Sequence, residues 1–317
     1  EQFYLRGGKQ LFLDEVHKYD DWSNEIKEIY DFYPTMRVVL SGSSLLSMTE
    51  GDADLARRCI NHDIQGLSFR EFLHFYKGIK MPVYPLEQVL ENPAPLIEEM
   101  NKHGRPIALL KEYLNYGYYP YYLNNETDYH IAIQQVVNKI IDIELPRICG
   151  VDLNNTRKIK SLLTILCASV PFQVDITKLA TQSGLKRDTI INYLSYLDKA
   201  KLIRLLYSDL KNIKRMQKPD KIYIDNTNLL NAWATAPIQI GTIRETFVAN
   251  QLSVNHVVEF RKTNGDFLVD SKYTFEVGGD DKDFQQIANV ADSFILADDM
   301  ETAIGKKLPI WVVGFDY

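Results

Sequence analysis

Asp14 and Glu15 are adjacent carboxylates at the end of the apolar run Leu11-Phe12-Leu13, within the stretch LFLDEVH. Two acids so placed can divide the work of a nucleotide hydrolase: the first holds Mg²⁺ through water and the second polarises the attacking water. An apolar run reads as a buried parallel strand, which puts both acids at its carboxyl end. Ligands of open α/β sheets bind at that edge. A buried strand ending in a solvated acidic turn looks the same, so the residues that follow must decide.

They supply a helix and a second strand. SNEIKEIYDFYP carries Ile26, Ile29, Tyr30, Phe32 and Tyr33 at helical spacing, with Ser23 as expected N-cap and Pro34 as its close. Val38 to Leu40 form a second apolar strand that ends in Ser41-Gly42-Ser43-Ser44. Strand, helix and strand over some thirty residues make a right-handed βαβ unit. Its second strand sets small hydroxyls beside the carboxylates of the first, where a hydroxyl can sense a γ-phosphate or orient water. The same SGSS is also a tight turn and helix cap.

The totals bound the rest. A chain of 317 residues is expected to hold two or three domains. Net charge is −6, so the whole protein is no polyanion binder, although a local basic region can be. Cys59, Cys149 and Cys167 have no metal-ligand spacing and are odd in number, which suits a reducing cytoplasm. No apolar run approaches the roughly 20 residues needed to span a bilayer, and no signal peptide is visible. The chain begins at Glu1 rather than Met, so its start is expected not to be the natural one.

With DLARRCINHDIQGLSFREFLHFY added to these strands, the sequence resembles the AAA-type ATPases of bacteria and archaea that carry an associated C-terminal domain of unknown function. The resemblance implies that Asp14 and Glu15 are Walker B acids, with Asp14 toward Mg²⁺, and that Ser41 or Ser43 lies at the sensor-1 position. Arg57 and Arg58 match the basic position ahead of the signature Leu67 to Phe72. Arg58 can then act in trans on a neighbouring subunit's nucleotide, since a permanent charge on a planar fork fits phosphate oxygens. An arginine bonded to Glu71 or to a helix end is the structural alternative. The P-loop G-x-x-x-x-G-K-[ST] is absent, and Arg6-Gly7-Gly8-Lys9 stands in the wrong place for one. The strands of a P-loop domain that carry it would precede Glu1. ATP and Mg are therefore expected as cofactors of the intact protein only.

MPVYPLEQVLENPAPL reads as a proline-punctuated linker with a short helix, and LLKEYLNYGYYPYYL resembles the family's Y-L-x-x-G-G-x-P element. Seven tyrosines between Tyr113 and Tyr129 suit a packed interdomain seam better than a base-stacking platform. Amphipathic helices are expected in TDYHIAIQQVVNKIIDIELPRI and KIKSLLTILCASVP. The next stretch reads as a winged helix-turn-helix. Asp175 caps its first helix, Ser183-Gly184-Leu185 turn, and Asp188 to Lys199 form the second helix. Ile190, Ile191, Leu194 and Leu197 are expected to bury one face, leaving Lys186, Arg187, Thr189, Asn192 and Tyr196 on or near the other. From Lys199 to Lys221 there are eight Lys or Arg, among them Lys211, Lys214 and Arg215, against two Asp. That is a local +6 in a chain of −6, leaving −12 elsewhere, and such a field suits DNA phosphates. A protein-interaction module or a solvated face would carry the same charges.

KPDKIYIDNTNLLNAW and GTIRETFVANQL fit the family pattern, with Asp225 in the first and Glu245 on a helix in the second. Two strands joined by a hairpin at Asp270-Ser271-Lys272 follow, then a helix over DFQQIANVADSFIL and a last buried strand in WVVGF. That order resembles the restriction-endonuclease-like core. There a P-D…(D/E)-x-K cluster binds Mg²⁺ while its lysine activates water. The resemblance implies that Glu245, Asp266 and Glu276 hold the acid positions of a possible second metal site. The lysine position, two after Glu276, is Gly278. Lys282 could reach back from the loop, and Asp280-Asp281 would add negative charge. A degenerate site is expected.

The expected fold is thus α/β and α+β multidomain. Residues 1–80 are the C-terminal part of a P-loop NTPase (AAA) domain, 81–150 a helical linker or lid, 151–215 a winged helix-turn-helix, and 216–317 a restriction-endonuclease-like domain. The expected protein is a cytoplasmic ATP-binding ATPase that couples nucleotide state to its C-terminal module, acting on DNA, on another protein or through self-association. A non-catalytic nucleic-acid-binding adaptor and a Mg²⁺-dependent nuclease are the alternatives.

Overall fold

In the computed structural model, residues 1–42, 55, 58–123, 128–168, 172–173, 175–208 and 218–317 are described. The chain opens with α1 (Gln2–Leu5), then β1 (Gln10–Leu13), α2 (Trp22–Phe32) and β2 (Arg37–Leu40). The two strands pair in parallel, with Gln10 opposite Arg37 and Leu13 opposite Leu40. Leu13, Val38 and Leu40 pack on a small core of Val16, Trp22, Ile26 and Leu55, while Phe12 and Val39 are exposed on the other face. Asp21, not Ser23, is the N-cap of α2, because the buried Trp22 is drawn into the first turn.

α3 (Phe69–Lys77) begins at a capping box. Ser68 Oγ accepts the Glu71 N–H at 3.1 Å, and the Glu71 carboxylate accepts the Ser68 N–H at 3.0 Å. Gly78, at φ 67°, ends the helix in the left-handed conformation that glycine adopts without penalty. α4 (Leu86–Glu91), α5 (Ala94–Asn101) and α6 (Pro106–Tyr116) follow. The expected linker is therefore two helices that bury Leu86, Val89, Leu90, Leu96, Ile97 and Met100. Pro85, Pro93 and Pro95 stand at helix starts, where a missing N–H costs nothing.

α7 (Tyr129–Lys139) runs through a π-helical turn, Ile140–Glu144, into α8 (Leu145–Cys149). Next come α9 (Thr156–Ala168), β3 (Phe172–Gln173), α10 (Ile176–Ser183), α11 (Arg187–Lys199), β4 (Ile203–Leu206), β5 (Lys221–Ile224) and α12 (Thr227–Trp233). The sheet is antiparallel in the order β3-β5-β4. Asp175 caps α10 by accepting the N–H groups of Thr177 and Lys178 at 2.9 and 3.1 Å, and Gly184 turns the chain at φ 65°. The buried face of α11 is Ile190, Tyr193, Leu194 and Leu197, spaced i, i+3, i+4, i+7. Ile191, expected among them, lies one residue past that stripe and is exposed.

α13 (Ile240–Leu252) leads into β6 (Val258–Phe260), β7 (Phe267–Val269), β8 (Tyr273–Gly278), β9 (Ser293–Ala297) and β10 (Lys307–Pro309). β6, β7 and β8 form an antiparallel meander, and β9 and β10 extend it in parallel. Asp270 and Ser271, both at positive φ, make the expected hairpin turn. Two expectations fail. The stretch expected as a helix gives turns and then β9, since the run Ser293–Ala297 is buried throughout, as an inner parallel strand is. Ile310–Phe315, expected as a strand, is a buried 3₁₀ helix packed beside α13 and α3.

α3 to α6 share one core with the five-stranded sheet and α13, including Phe69, Phe72, Tyr113, Phe247, Phe275 and Phe315. A second core lies under α7 to α12. Tyr113 and Tyr118 belong to the first and Tyr129 to the second, while Tyr119 packs against both. These tyrosines form a seam.

Candidate functional site

The register of β1 and β2 sets the first site. Leu13 and Leu40 are paired, so Asp14 and Ser41 leave the strand ends at one level. Ser41 Oγ donates a hydrogen bond to Asp14 Oδ1 and accepts one from the Glu15 N–H at 3.3 Å. The Val16 N–H bonds the Ser41 carbonyl at 3.1 Å, which closes the turn. Glu15 stands at φ 55°, a left-handed conformation that is costly for a residue with Cβ. Its carboxylate pairs with Lys18 at 2.5 Å. A hollow beside the acids is lined by Leu13, Val16, Trp22, Ile26 and Ile29. The donor set is hard oxygen, two carboxylates and a hydroxyl, with Asp14 exposed, which suits Mg²⁺ held through water. Arg58 is held elsewhere: its guanidinium donates twice to Asp31, at 3.2 and 3.3 Å, and lies 5.6 Å from the Tyr30 ring. Ser43, Ser44 and Arg57 lie outside the described residues.

The signature Leu67 to Phe72 is gripped by the C-terminal part of the chain. The Phe69 N–H donates to Gln251 Oε1 at 3.1 Å, and Gln251 Nε2 donates to the Tyr113 hydroxyl at 2.9 Å. That hydroxyl donates to the Leu67 carbonyl at 2.7 Å. Ser68 Oγ and Arg70 Nε both donate to the Tyr317 carbonyl, at 3.0 and 2.8 Å. A Cβ on Gly314 would stand 2.5 Å from that of Phe69, so only glycine permits the approach. The S-x-x-E of Ser68 and Glu71 is the sequence signal of this helix start; nothing in the sequence marks Gln251 or Tyr113 as its clamp.

The three C-terminal acids come together from α13, the residue before β7, and β8. Burial and the charges of Glu245 and Glu276 push Asp266 up to about 6, and Asp266 Oδ2 accepts the Val277 N–H at 2.8 Å. Glu245 Oε2 takes Lys221 Nζ at 2.6 Å and the Tyr223 hydroxyl at 2.5 Å. Lys221 and Tyr223 stand two apart on β5, so they share a face. The Lys221 ammonium lies between the rings of Tyr223 and Phe260, 5.1 and 5.0 Å from their centroids. Glu276, almost fully buried, pairs with Lys282. With its amide turned to donate, Gln286 bonds both Glu276 oxygens at 2.6 and 3.1 Å. Lys282 is held above its ordinary pKa: burial opposes the ammonium, but the bond and charge of Glu276 outweigh it. Among the described residues, no three His, Cys, Asp or Glu side chains are arranged to hold a metal ion.

Lys186, Arg187 and Asn192 are exposed along the start of α11, and none of their side chains has a hydrogen bond or ion pair among the described residues. Lys211, Lys214 and Arg215 lie outside the described residues. No helix among the described residues is long and apolar enough to cross a membrane.

Comparison with known proteins agrees with the N-terminal geometry. Residues 1–73 match the model of an AAA domain, and residues 107–238 match that of a domain of unknown function (DUF8612). Uncharacterized protein MJ1637 of Methanocaldococcus jannaschii is 26% identical over 298 residues, covering 87% of this chain and 63% of its own length. Uncharacterized protein MJ1544 of the same organism is 25% identical over 210 residues, covering 64% of this chain and 44% of its own. The chain thus spans less than two thirds of the length of these curated relatives. No solved structure matches. The N-terminal segment, with its paired strands and strand-end acids, is AAA-like.

Proposed function

We propose that the N-terminal unit is the magnesium and water half of an AAA-type ATPase site, and that the remaining helices and sheets are the module it drives. The hydrogen bond from Ser41 to Asp14, across the carboxyl ends of two paired parallel strands, carries this proposal. Asp14 would hold Mg²⁺ through water, and Glu15, released from Lys18, would orient the attacking water. Ser41, with Ser43, would read the γ-phosphate. Bound Mg²⁺ would supply charge neutralisation of the phosphates. The motif G-x-x-x-x-G-K-[ST] occurs nowhere in the 317 residues, so we assign the phosphate cradle to residues outside this chain. The greater length of the relatives supports that assignment. Arg58 would exchange Asp31 for a neighbouring subunit's phosphate.

The clamp on Leu67 to Phe72 supports coupling, because it ties the end of the AAA-like segment to the core of the C-terminal sheet. The order α9-β3-α10-α11-β4-β5, with its three-stranded antiparallel sheet, supports a winged helix. The helix-then-meander order of α13 to β9 supports a restriction-endonuclease-like core. We assign DNA phosphate contact to Lys186, Arg187 and Asn192, joined by Lys211, Lys214 and Arg215, in a cytoplasmic protein. These basic groups equally favour a nucleic-acid-binding adaptor without turnover. ATP hydrolysis by the protein that carries these residues together with a P-loop separates the two. Loss of turnover in Asp14→Asn is the expected result, and absence of turnover in the unaltered protein would leave the adaptor.

A further inference from the structure

Gly278 stands two residues after Glu276 on β8, the position at which a restriction-endonuclease-like site carries its lysine. The structure shows what fills the space of the missing side chain. A Cβ built on Gly278 would meet Cγ, Cβ and Cδ of Lys282 at 2.8 to 2.9 Å. The stem of Lys282 therefore lies across the strand at residue 278, and its ammonium reaches Glu276. Lys282 is only partly exposed, 29% of its side chain, and its neighbour on the carboxylate is the Gln286 amide. On the other side, Glu245 is met by the nearly buried Lys221 and by the Tyr223 hydroxyl. Both outer acids thus already have an ammonium ion in contact. A hard divalent cation wants several unshared carboxylate oxygens at about 2.0–2.6 Å. The trio does not fit one.

We propose that Lys282 is the resident cation of this site, replacing both the divalent ion and the lysine of position 278, and that residue 278 is glycine so that the Lys282 stem can lie there. Buried carboxylates are tolerated only when paired and hydrogen-bonded. Lys221 and Lys282 meet that requirement from within the chain, so the cluster is stable without metal. It serves as a charged floor to the sheet rather than as a centre of phosphodiester cleavage. This inference is independent of the nucleotide chemistry assigned to Asp14 and Glu15.

Thermal melts with Mg²⁺ or Mn²⁺, against sodium chloride of matched ionic strength, test it in the wild type and in Glu276→Gln. No divalent-specific rise in melting temperature is expected at this site. A rise of several degrees that Glu276→Gln abolishes would overturn the proposal. A double-mutant cycle tests the space-sharing independently. Gly278→Ala is expected to lower the melting temperature more when Lys282 is present than in the Lys282→Ala background, which removes Cγ and Cδ but keeps Cβ. An equal loss in both backgrounds would show that Lys282 does not occupy that space.

Discussion

The side-chain carbonyl of Gln251 accepts the backbone N–H of Phe69 at 3.1 Å, across 182 residues of sequence. The same amide donates to Tyr113, whose hydroxyl in turn holds the Leu67 carbonyl. One buried glutamine therefore satisfies the first turn of α3 and fixes where the AAA-like segment ends. Leaving a buried N–H unpaired costs about 1–3 kcal/mol. Gln251→Ala should lower unfolding free energy by that order in urea titrations. Gln251→Glu keeps the acceptor but buries an unpaired carboxylate in place of the donating amide, and should lose at least as much. Equal stability of wild type and Gln251→Ala would deny the clamp.

His256 is held between two acids, Nδ1 to Asp270 at 2.6 Å and Nε2 to Asp316 at 3.1 Å. The bond to Asp316, outweighing burial and joined by Asp270, raises its pKa from 6.5 to about 9. Asp316 also accepts the N–H of Leu86 at 2.8 Å, so the imidazolium pins the start of α4 to the sheet. A raised folded pKa means that this stability is fully present below about 6.5 and is lost as pH rises through about 9. The loss should be at most about 3 kcal/mol. Urea midpoints measured from pH 6 to 10 should fall in wild type and stay flatter in His256→Gln.

Asp266 changes stability in the same direction, at lower pH and for a different reason. Its pKa, raised to about 6 by burial and two neighbouring carboxylates, lies above that of an unfolded aspartate. The folded state therefore binds more protons between those two values, and its stability declines as pH rises through that window. Asp266→Asn keeps an acceptor for the Val277 N–H and removes the charge. It should be more stable than wild type at pH 8 by about 1–3 kcal/mol, with the difference vanishing near pH 4. A destabilised Asp266→Asn at pH 8 would mean that the ionised carboxylate is required by a partner.

The exposed edge of α11 gives a separate test. If Lys186 and Arg187 contact phosphates, binding to duplex DNA should weaken linearly in log salt, and each charge removed should reduce that slope by about 1. Lys186→Glu with Arg187→Glu should weaken binding across unrelated sequences alike. Fluorescence anisotropy at several salt concentrations measures both quantities. Charge reversal at Lys214 and Arg215 extends the test to the basic stretch beside it.

What could be read from the sequence was local. The acids at a strand end, the capping Asp175, the Gly184 turn and the Asp270–Lys272 hairpin each announce themselves through short-range chemistry, and the structure has them. Misreadings occurred where a short apolar run has no intrinsic period. Ser293–Ala297 and Ile310–Phe315 are buried whatever their backbone, so burial could not distinguish strand from helix. The prolines near α4 and α5 looked like a linker because the same residue serves linkers and helix starts. The pairing of Glu245 with Lys221 and the grip of Gln251 on Phe69 are products of distant chain segments. No local pattern encodes them.

The assignment of Asp14 and Glu15 is tested most directly by ATP turnover set against ATP binding. In the protein that carries these residues with its P-loop, Glu15→Gln should reduce kcat at least about a hundredfold, the order expected when water activation is lost. MgATP affinity should stay close to wild type, because Asp14 and Ser41 are untouched. Turnover in Glu15→Gln equal to wild type would contradict the account.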